Sequence, residues 1–140
     1  MVIISGCTGK TLEQTSDNRM MLGSCLPLPN CVSSNASISY NRIEPFELAM
    51  AKVDAWPLIR QAVLEIPRTV IDEEADDYLH AKTSSKLFRF VDNMELLYDP
   101  DKKLVSIRSS SVLGLYDMGA NRRKIESLRK VLIDKAVVRD

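Results

Sequence analysis

The sequence lacks net charge and long apolar runs. Its 140 residues include 19 basic and 19 acidic side chains, so the formal charge is zero, whereas nucleic-acid-binding chains usually carry a basic excess. No apolar run approaches the roughly 20 residues that a bilayer-spanning helix needs. We therefore predict neither a nucleic-acid-binding protein nor a membrane-spanning helix, and the 45% hydrophobic content is typical of one globular domain.

Metal-ligating residues are also scarce. The chain has one histidine, three cysteines and no C-x-x-C pair, whereas a zinc site needs about four ligands. The acidic run 72–77 lacks the alternating spacing and the glycine of an EF-hand loop, so we interpret it as a solvated turn and not as a calcium site. We predict no metal and no cofactor.

The first seven residues resemble the end of a bacterial lipoprotein signal. Ile4-Ser5-Gly6-Cys7 has the aliphatic, small, small, cysteine order of a lipobox, in which the cysteine is diacylated and becomes the mature N-terminus. A complete signal also needs a charged segment and about 7–15 apolar residues, of which only a few are present. We expect residues 1–7 to be a truncated leader of this kind, or else a meaningless apolar leader. Residues 8–22 are then a flexible tether, since they contain few large apolar side chains.

Two further cysteines lie close together. Cys25 and Cys31 bracket a segment that contains Pro27 and Pro29 and cannot be helical. In an oxidising compartment we expect these two cysteines to form a disulfide. The alternative is a catalytic Cys31 thiol, with His80 as its base.

Hydrophobic periodicity predicts a helix at each end of the folded region. Apolar residues recur at helical spacing between Asp54, which can cap the helix, and Pro67, which ends it. A second apolar stripe predicts a long C-terminal helix that begins at about Ala120.

Four segments between these helices have the composition of strands. They are 69–71, 78–84, 87–98 and 104–113, and the turn residues between them predict an antiparallel meander of about four strands. We therefore expect residues 23–140 to form a single α+β domain in which both helices pack on one face of the sheet.

Asp92 is the polar residue that this fold explains least easily. By the two-residue period of a strand it shares a face with apolar side chains, where an unpaired carboxylate costs several kcal/mol. We expect a structural ion pair with Arg108, Arg122 or Arg123, or hydrogen bonds from backbone amides. A catalytic acid is the alternative.

Two groups of residues are candidate binding sites. His80, Arg89 and Arg108 would lie on one sheet face and form a cationic site, unless that face is merely solvated. Asn121-Arg122-Arg123 begins the C-terminal helix, where backbone amides and the helix dipole favour anions, unless Asp117 neutralises the site.

Short blocks along the chain resemble, in their order, those of a known family. The blocks are Pro29-Asn30-Cys31-Val32-Ser33-Ser34, Trp56, Tyr78-Leu79-His80-Ala81, Leu87-Phe88-Arg89-Phe90-Val91-Asp92-Asn93-Met94-Glu95, Ile107-Arg108-Ser109-Ser110-Ser111 and Gly119-Ala120-Asn121-Arg122-Arg123-Lys124-Ile125-Glu126. They are similar to the domain-of-unknown-function 1499 family over about Cys25 to Leu132. Asn93 departs from the acidic residue usual there, and Val112-Leu113 stands where a basic residue is common. The resemblance implies a bacterial protein, often with a secretory or lipoprotein leader, and implies no activity.

The sequence thus favours a non-enzymatic domain on the periplasmic side of a bacterial envelope. We expect a lipid on Cys7 to anchor it to the membrane, and an unidentified protein or small molecule to bind to the open sheet face. One alternative is a small ligand or lipid held between the sheet and the C-terminal helix, by analogy with other folds. Another is a hydrolase or transferase that uses His80 or Cys31, although the sequence offers no set of nucleophile, base and orienting residue.

Overall fold

The structure is a computed structural model that describes residues 9–26, 29–85, 90–112 and 119–140. Strands and helices follow one another along the chain in an α+β order, which confirms the predicted fold class. The elements are β1 (Glu13–Gln14), β2 (Met20–Met21), β3 (Cys31–Ser33), β4 (Phe46–Glu47), α1 (Lys52–Leu64), β5 (Thr69–Glu74), β6 (Tyr78–Ser84), β7 (Val91–Asp99), β8 (Leu104–Ser111) and α2 (Ala120–Asp134).

The main sheet is antiparallel, with the strand order β3-β8-β7-β6-β5, and β4 also pairs with β8. The predicted meander corresponds to β5 through β8, but the predicted count of about four strands is too low. Both β3 and β4 join the sheet, and β1 and β2 form a separate hairpin. These additional strands are two or three residues long, too short to show a two-residue period.

Both helices pack on one face of the sheet and enclose the main core. Strand side chains such as Leu79, Met94 and Leu96 contact helix side chains such as Ile59 and Ile125 in one buried cluster. The first predicted helix is α1, but it follows four strands instead of opening the fold, and Asp54 lies in its first turn instead of capping it. The part of the chain that the structure describes contains no helix both long and apolar enough to cross a bilayer.

Residues 9–24, which we call the strap, lie on the other face of the sheet. Leu22 is buried with Tyr78 and Leu97, and Leu12 packs against this small cluster. We expected residues 8–22 to be a flexible tether, whereas the strap is held from Lys10 onward by hydrogen bonds to the sheet. The prediction of a tether rested on the small number of apolar side chains in this segment. Composition could not reveal the contacts of the strap, because polar side chains and backbone groups make most of them.

A disulfide joins Cys25 to Cys31, with a Cα to Cα distance of 5.7 Å. It links the end of the strap to β3, and Cys31 is buried. The disulfide expected from the sequence is therefore present, and the alternative of a free Cys31 thiol is wrong. Cys7 lies outside the described residues.

Candidate functional site

The sheet face under the strap carries a row of buried polar side chains. Tyr78, His80, Glu95 and Asn93 are each at most 3% exposed, and Arg108 is half-buried. Register explains their proximity, because Glu95 is paired with His80 on one neighbouring strand and with Arg108 on the other. Directly paired residues project to the same face of a sheet. The alternation of side chains along each strand therefore places all of these residues on the face beneath the strap.

Glu95 is the centre of this row. Its Oε2 accepts hydrogen bonds from the Tyr78 hydroxyl at 2.6 Å and from the Thr11 backbone N–H at 2.9 Å, and its Oε1 accepts one from the Thr11 hydroxyl at 2.5 Å. The carboxyl group is completely buried. Glu95 therefore fastens the strap to the sheet. Hydrogen bonds from Thr11 of the strap and Tyr78 of the sheet offset the energetic cost of burying its carboxyl group.

Arg108 extends the same network toward the disulfide. Its guanidinium donates to the Ser24 carbonyl at 3.3 Å and to the Ser110 hydroxyl at 3.0 Å. Burial lowers the pKa of Arg108, and the charge of Glu95 opposes that shift. Because arginine starts from a very high pKa, Arg108 stays charged at neutral pH.

His80 is sealed beneath the beginning of the strap. Its Nε2 lies 2.8 Å from Asn93 Oδ1. Nδ1 lies 3.5 Å from an Asp72 carboxylate oxygen and has no hydrogen-bond partner among the described residues. Gly9 covers Asn93 so closely that a Cβ on Gly9 would lie 2.1 Å from Asn93 Cγ, and Gly9 has a φ of +73°. His80 is thus closed off from solvent, which does not suit a general base that must reach a substrate.

The predicted cationic face is only partly assembled. His80 and Arg108 share one face with Glu95 between them, and Arg89 lies outside the described residues. The sequence did not single out Glu95 or Tyr78, although the alternation along β6 and β7 places both on this face.

The predicted anion site at the start of α2 is used for internal contacts. The Asn121 side chain is buried, accepts from the Ser109 hydroxyl at 2.6 Å and donates to the Ser111 hydroxyl at 2.9 Å. Arg122 donates to the carbonyls of residues 40 and 42, whereas Arg123 is exposed. Asn121 and Arg122 therefore hold α2 against the rest of the domain.

Asp92 forms an ion pair with α2, as its position among apolar residues suggested. The partner is Lys124, at 3.2 Å, and not Arg108, Arg122 or Arg123 as expected. Arg108 projects to the opposite face of the sheet, and the first turns of α2 direct Lys124 toward β7. The pair joins the terminal helix to the sheet, which is a structural role.

A pocket of about 590 Å³ lies between the β1–β2 hairpin and the main sheet, and we call it the hairpin pocket. Its apolar lining residues are Met20, Met21, Pro45, Leu97, Tyr98, Pro100 and Leu104, and its charged ones are Asp17, Arg19, Arg42, Asp77, Asp99, Asp101 and Lys102. Arg19 of the hairpin and Asp101 of the β7–β8 turn form a 3.1 Å ion pair between two of its walls. The sequence did not reveal this pocket, because its walls come from four distant segments.

The acidic run 72–77 was interpreted as a solvated turn. It contributes the end of β5 and the turn before β6. Within the described parts of the chain, no three His, Cys, Asp or Glu side chains converge in a way that would hold a metal ion.

Tyr78 makes the stability of the fold sensitive to alkali. Burial, followed by the charge of Glu95, raises the pKa of Tyr78 far above its ordinary value. An unfolded tyrosine loses its proton near pH 10, so above that pH the folded state binds more protons and the free energy of unfolding falls. We expect this fall to be about 1.4 kcal/mol per pH unit steeper in the wild type than in Tyr78→Phe. Denaturant unfolding at a series of pH values above and below 10 measures both slopes, and equal slopes would contradict the prediction.

Comparisons with known proteins identify a family. The model of a family described as Protein of unknown function (DUF1499) matches residues 21–132. No curated protein matches the chain, and no solved structure does either.

Proposed function

Because this chain belongs to the DUF1499 family, whose function is unknown, we propose its role from its own geometry. We propose that it is a non-enzymatic domain of the bacterial envelope, anchored on the periplasmic side by a lipid on Cys7, and that it holds a small amphipathic ligand in the hairpin pocket. The pocket is the observation that carries the ligand proposal. The disulfide and the lipobox-like residues support the location.

The hairpin pocket has the size of a small-molecule site. Its volume of about 590 Å³ falls in the range of roughly 300–1,000 Å³ that is usual for ligand pockets. Leu97, Leu104 and Met21 contribute apolar surface, and methionine adapts easily to different ligand shapes. Side chains of both charge signs surround this surface, so a ligand with an apolar body and a polar group fits it best.

The location proposal follows from cysteine chemistry. Disulfides persist in oxidising compartments and are rare in a reducing cytosol, and Cys25 and Cys31 form one here. Ile4-Ser5-Gly6-Cys7 has the residue order of a lipobox. An exported chain with an acylated Cys7 accounts for both observations.

The alternative functions receive less support from the geometry. The space between the sheet and α2 is filled by core side chains such as Leu96, Ile107 and Leu132, all fully buried, so a lipid has no evident place there. Cys31 is in a disulfide and His80 is only 1% exposed, which disfavours a hydrolase or transferase that uses either one.

Filling the hairpin pocket tests the ligand proposal. Ser106 lines the pocket and is half-buried, so Ser106→Phe places a ring in the cavity. The fluorescent probe ANS, which has an apolar body and one sulfonate, is expected to bind the wild type and to bind Ser106→Phe at least about tenfold more weakly, a loss of roughly 1.4 kcal/mol. The matched control is Ser127→Phe on the exposed side of α2. The ligand proposal would be refuted if ANS did not bind to the folded wild type, or if it bound equally to all three chains.

Metabolic labelling tests the anchor. Cells that express the gene from its native locus with radioactive palmitate are expected to yield a labelled protein in the membrane fraction. Cys7→Ser should remove the label and release the protein, whereas Ser5→Ala, which keeps a small residue at that lipobox position, should leave both unchanged. An unlabelled wild type would refute the anchor and leave the pocket proposal untouched.

A further inference from the structure

Exposed apolar side chains gather at one end of the main sheet. We call this the proximal end, where β6 ends and β7 begins, and we call the opposite end, with turns 75–77 and 100–103, the distal end. Val112 is 55% exposed and donates its backbone N–H to the Val91 carbonyl at the first residue of β7. Phe90, the residue before that strand, is 46% exposed. Two large apolar side chains thus face solvent where the central strands meet this end.

The outer strands add further apolar surface beside them. Val70 of β5 is 62% exposed and is paired with Lys82 near the end of β6. Leu26 is 72% exposed and follows Cys25, whose disulfide partner Cys31 is paired with Ser110 near the end of β8. The apolar residues therefore extend across the full width of the sheet.

A groove of about 600 Å³ opens at the same end, next to β5 and β6. Leu64, Ile66 and Pro67 line it together with Ser84 and Ser85, which follow one another at the end of β6. Arg68 and Glu65 also line the groove. Arg68 is exposed and donates its Nε–H to the Ser84 carbonyl, and the charge of Glu65 is offset by Lys135, whose Nζ lies 3.7 Å away. Apolar surface with a guanidinium among it matches the acyl and phosphate parts of a phospholipid.

The chain enters the folded domain at this end as well. Gly9 lies directly on Asn93, which is the third residue of β7. Cys7 is two residues earlier in the sequence, and two residues of chain can span at most about 7 Å. A lipid on Cys7 would therefore hold the proximal end next to the membrane surface, with almost no intervening tether.

We propose that the proximal end is a membrane-docking surface, which lies on the phospholipid leaflet that holds the acyl chains of Cys7. This inference rests on the proposed anchor. One acyl chain gives only marginal membrane binding, and a second apolar or basic contact stabilises it. Leu26, Val70, Phe90 and Val112 supply the apolar contact, and Arg68 supplies a positive charge for anionic headgroups.

Docking at this end also sets where the hairpin pocket lies. Asp99, which lines the pocket, is six residues along β7 from Asn93, or about 20 Å in an extended strand. The hairpin pocket would thus lie at the distal end, about 20 Å from the membrane surface. A ligand would be bound from the aqueous phase and not drawn directly from the bilayer.

Tryptophan fluorescence on vesicles tests the docking surface. Cys7 is the one cysteine outside the disulfide, so the full chain can be coupled through it to a maleimide phospholipid, independently of any acylation in cells. Trp56→Phe removes the single native tryptophan. In that background, Val112→Trp reports on the proximal end, and Val53→Trp, at a 75% exposed site in the first turn of α1, is the matched control.

We expect brominated acyl chains in phosphatidylethanolamine and phosphatidylglycerol vesicles to quench the emission of the Val112→Trp chain severalfold more than that of the Val53→Trp chain. Adding Leu26→Asp should reduce this quenching, whereas Leu58→Asp on α1 should not. Circular dichroism before coupling shows that each variant is folded. Equal quenching at both positions would overturn the docking surface even where palmitate labelling supports the anchor. If the protein takes up no palmitate in cells but still docks when it is coupled to the maleimide phospholipid, the lipid anchor is refuted and the docking surface is not.

Discussion

Replacing Glu95 with alanine is expected to lower the free energy of unfolding by about 3–5 kcal/mol. The side chain is fully buried and accepts three hydrogen bonds, one from Tyr78 and two from Thr11. Alanine leaves a buried hydroxyl and a backbone N–H without their acceptor. It also removes the negative charge that favours ionised Arg108 in a partly buried position.

Two further variants separate these effects. Glu95→Gln keeps an acceptor for Tyr78 but loses the charge, so we expect a smaller loss of about 1–3 kcal/mol. Thr11→Val keeps the backbone donor to Glu95 but removes the hydroxyl, which donates to Glu95 and accepts from the Gly23 N–H. Because both of these hydrogen bonds are only partly buried, we expect a loss of about 1 kcal/mol. Denaturant unfolding under non-reducing conditions measures all three. The expected order is Glu95→Ala, Glu95→Gln, Thr11→Val, and a loss below about 1 kcal/mol for Glu95→Ala would contradict the central role of this carboxyl group.

The same variants test whether Glu95 fastens the strap. Arg19 lies in the loop between β1 and β2 and Lys10 lies near the strap's beginning, so trypsin can report on release of the strap before the whole domain unfolds. We expect cleavage at these two residues to become faster in Glu95→Ala under native conditions. Cleavage at α1 and α2 should change far less. Uniformly faster cleavage would indicate global destabilisation instead.

Removing the disulfide is expected to lower the free energy of unfolding by about 2 kcal/mol. Cys25 and Cys31 are six residues apart, and closing so short a loop restricts the unfolded chain by about that amount in the chain-entropy description. The double variant Cys25→Ser, Cys31→Ser and the reduced wild type should lose similar amounts. Denaturant midpoints with and without dithiothreitol measure this loss.

The position of the disulfide extends its effect to the strap. The Ser33 hydroxyl donates to the Gly23 carbonyl, and Arg108 donates to the Ser24 carbonyl, so the bonded residues are next to contacts that hold the strap's end. Cys7→Ser is the control. Because Cys7 lies outside this loop, we expect its substitution to leave the free energy of unfolding unchanged. If reduction leaves the denaturant midpoint unchanged, the disulfide does not contribute to the stability of the folded domain.

Sequence periodicity determined the helices and the long strands. The stripe of Ile125, Leu128 and Leu132 faces the core in α2, and the alternation along β6 and β7 separates the two sheet faces. Such patterns are local, because each residue's neighbours in the element set which face it occupies. The disulfide between Cys25 and Cys31 was also predictable, since a short loop with two prolines keeps the two cysteines near each other.

The sequence predicted that certain polar residues form specific interactions, but it did not predict their partners. The strand pattern places Asp92 on the face that carries apolar residues, where a carboxylate needs a counter-charge, so an ion pair was expected from that pattern alone. Its choice of Lys124 over the arginines depends on the rotation and crossing of α2 on the sheet. Asn121 and Arg122 had the position of an anion site at the start of a helix, but in the packed domain their side chains form hydrogen bonds with other groups of the protein.

The amino-acid sequence by itself determined the fold class, the disulfide and the need to pair Asp92, because these depend on spacing within one element or one short loop. Only the tertiary structure decided that the strap covers the second sheet face, that Glu95 joins it to the sheet and that a pocket lies under the β1–β2 hairpin. The reason is distance along the chain: Thr11 and Glu95 are 84 residues apart. No local periodicity records a hydrogen bond between them.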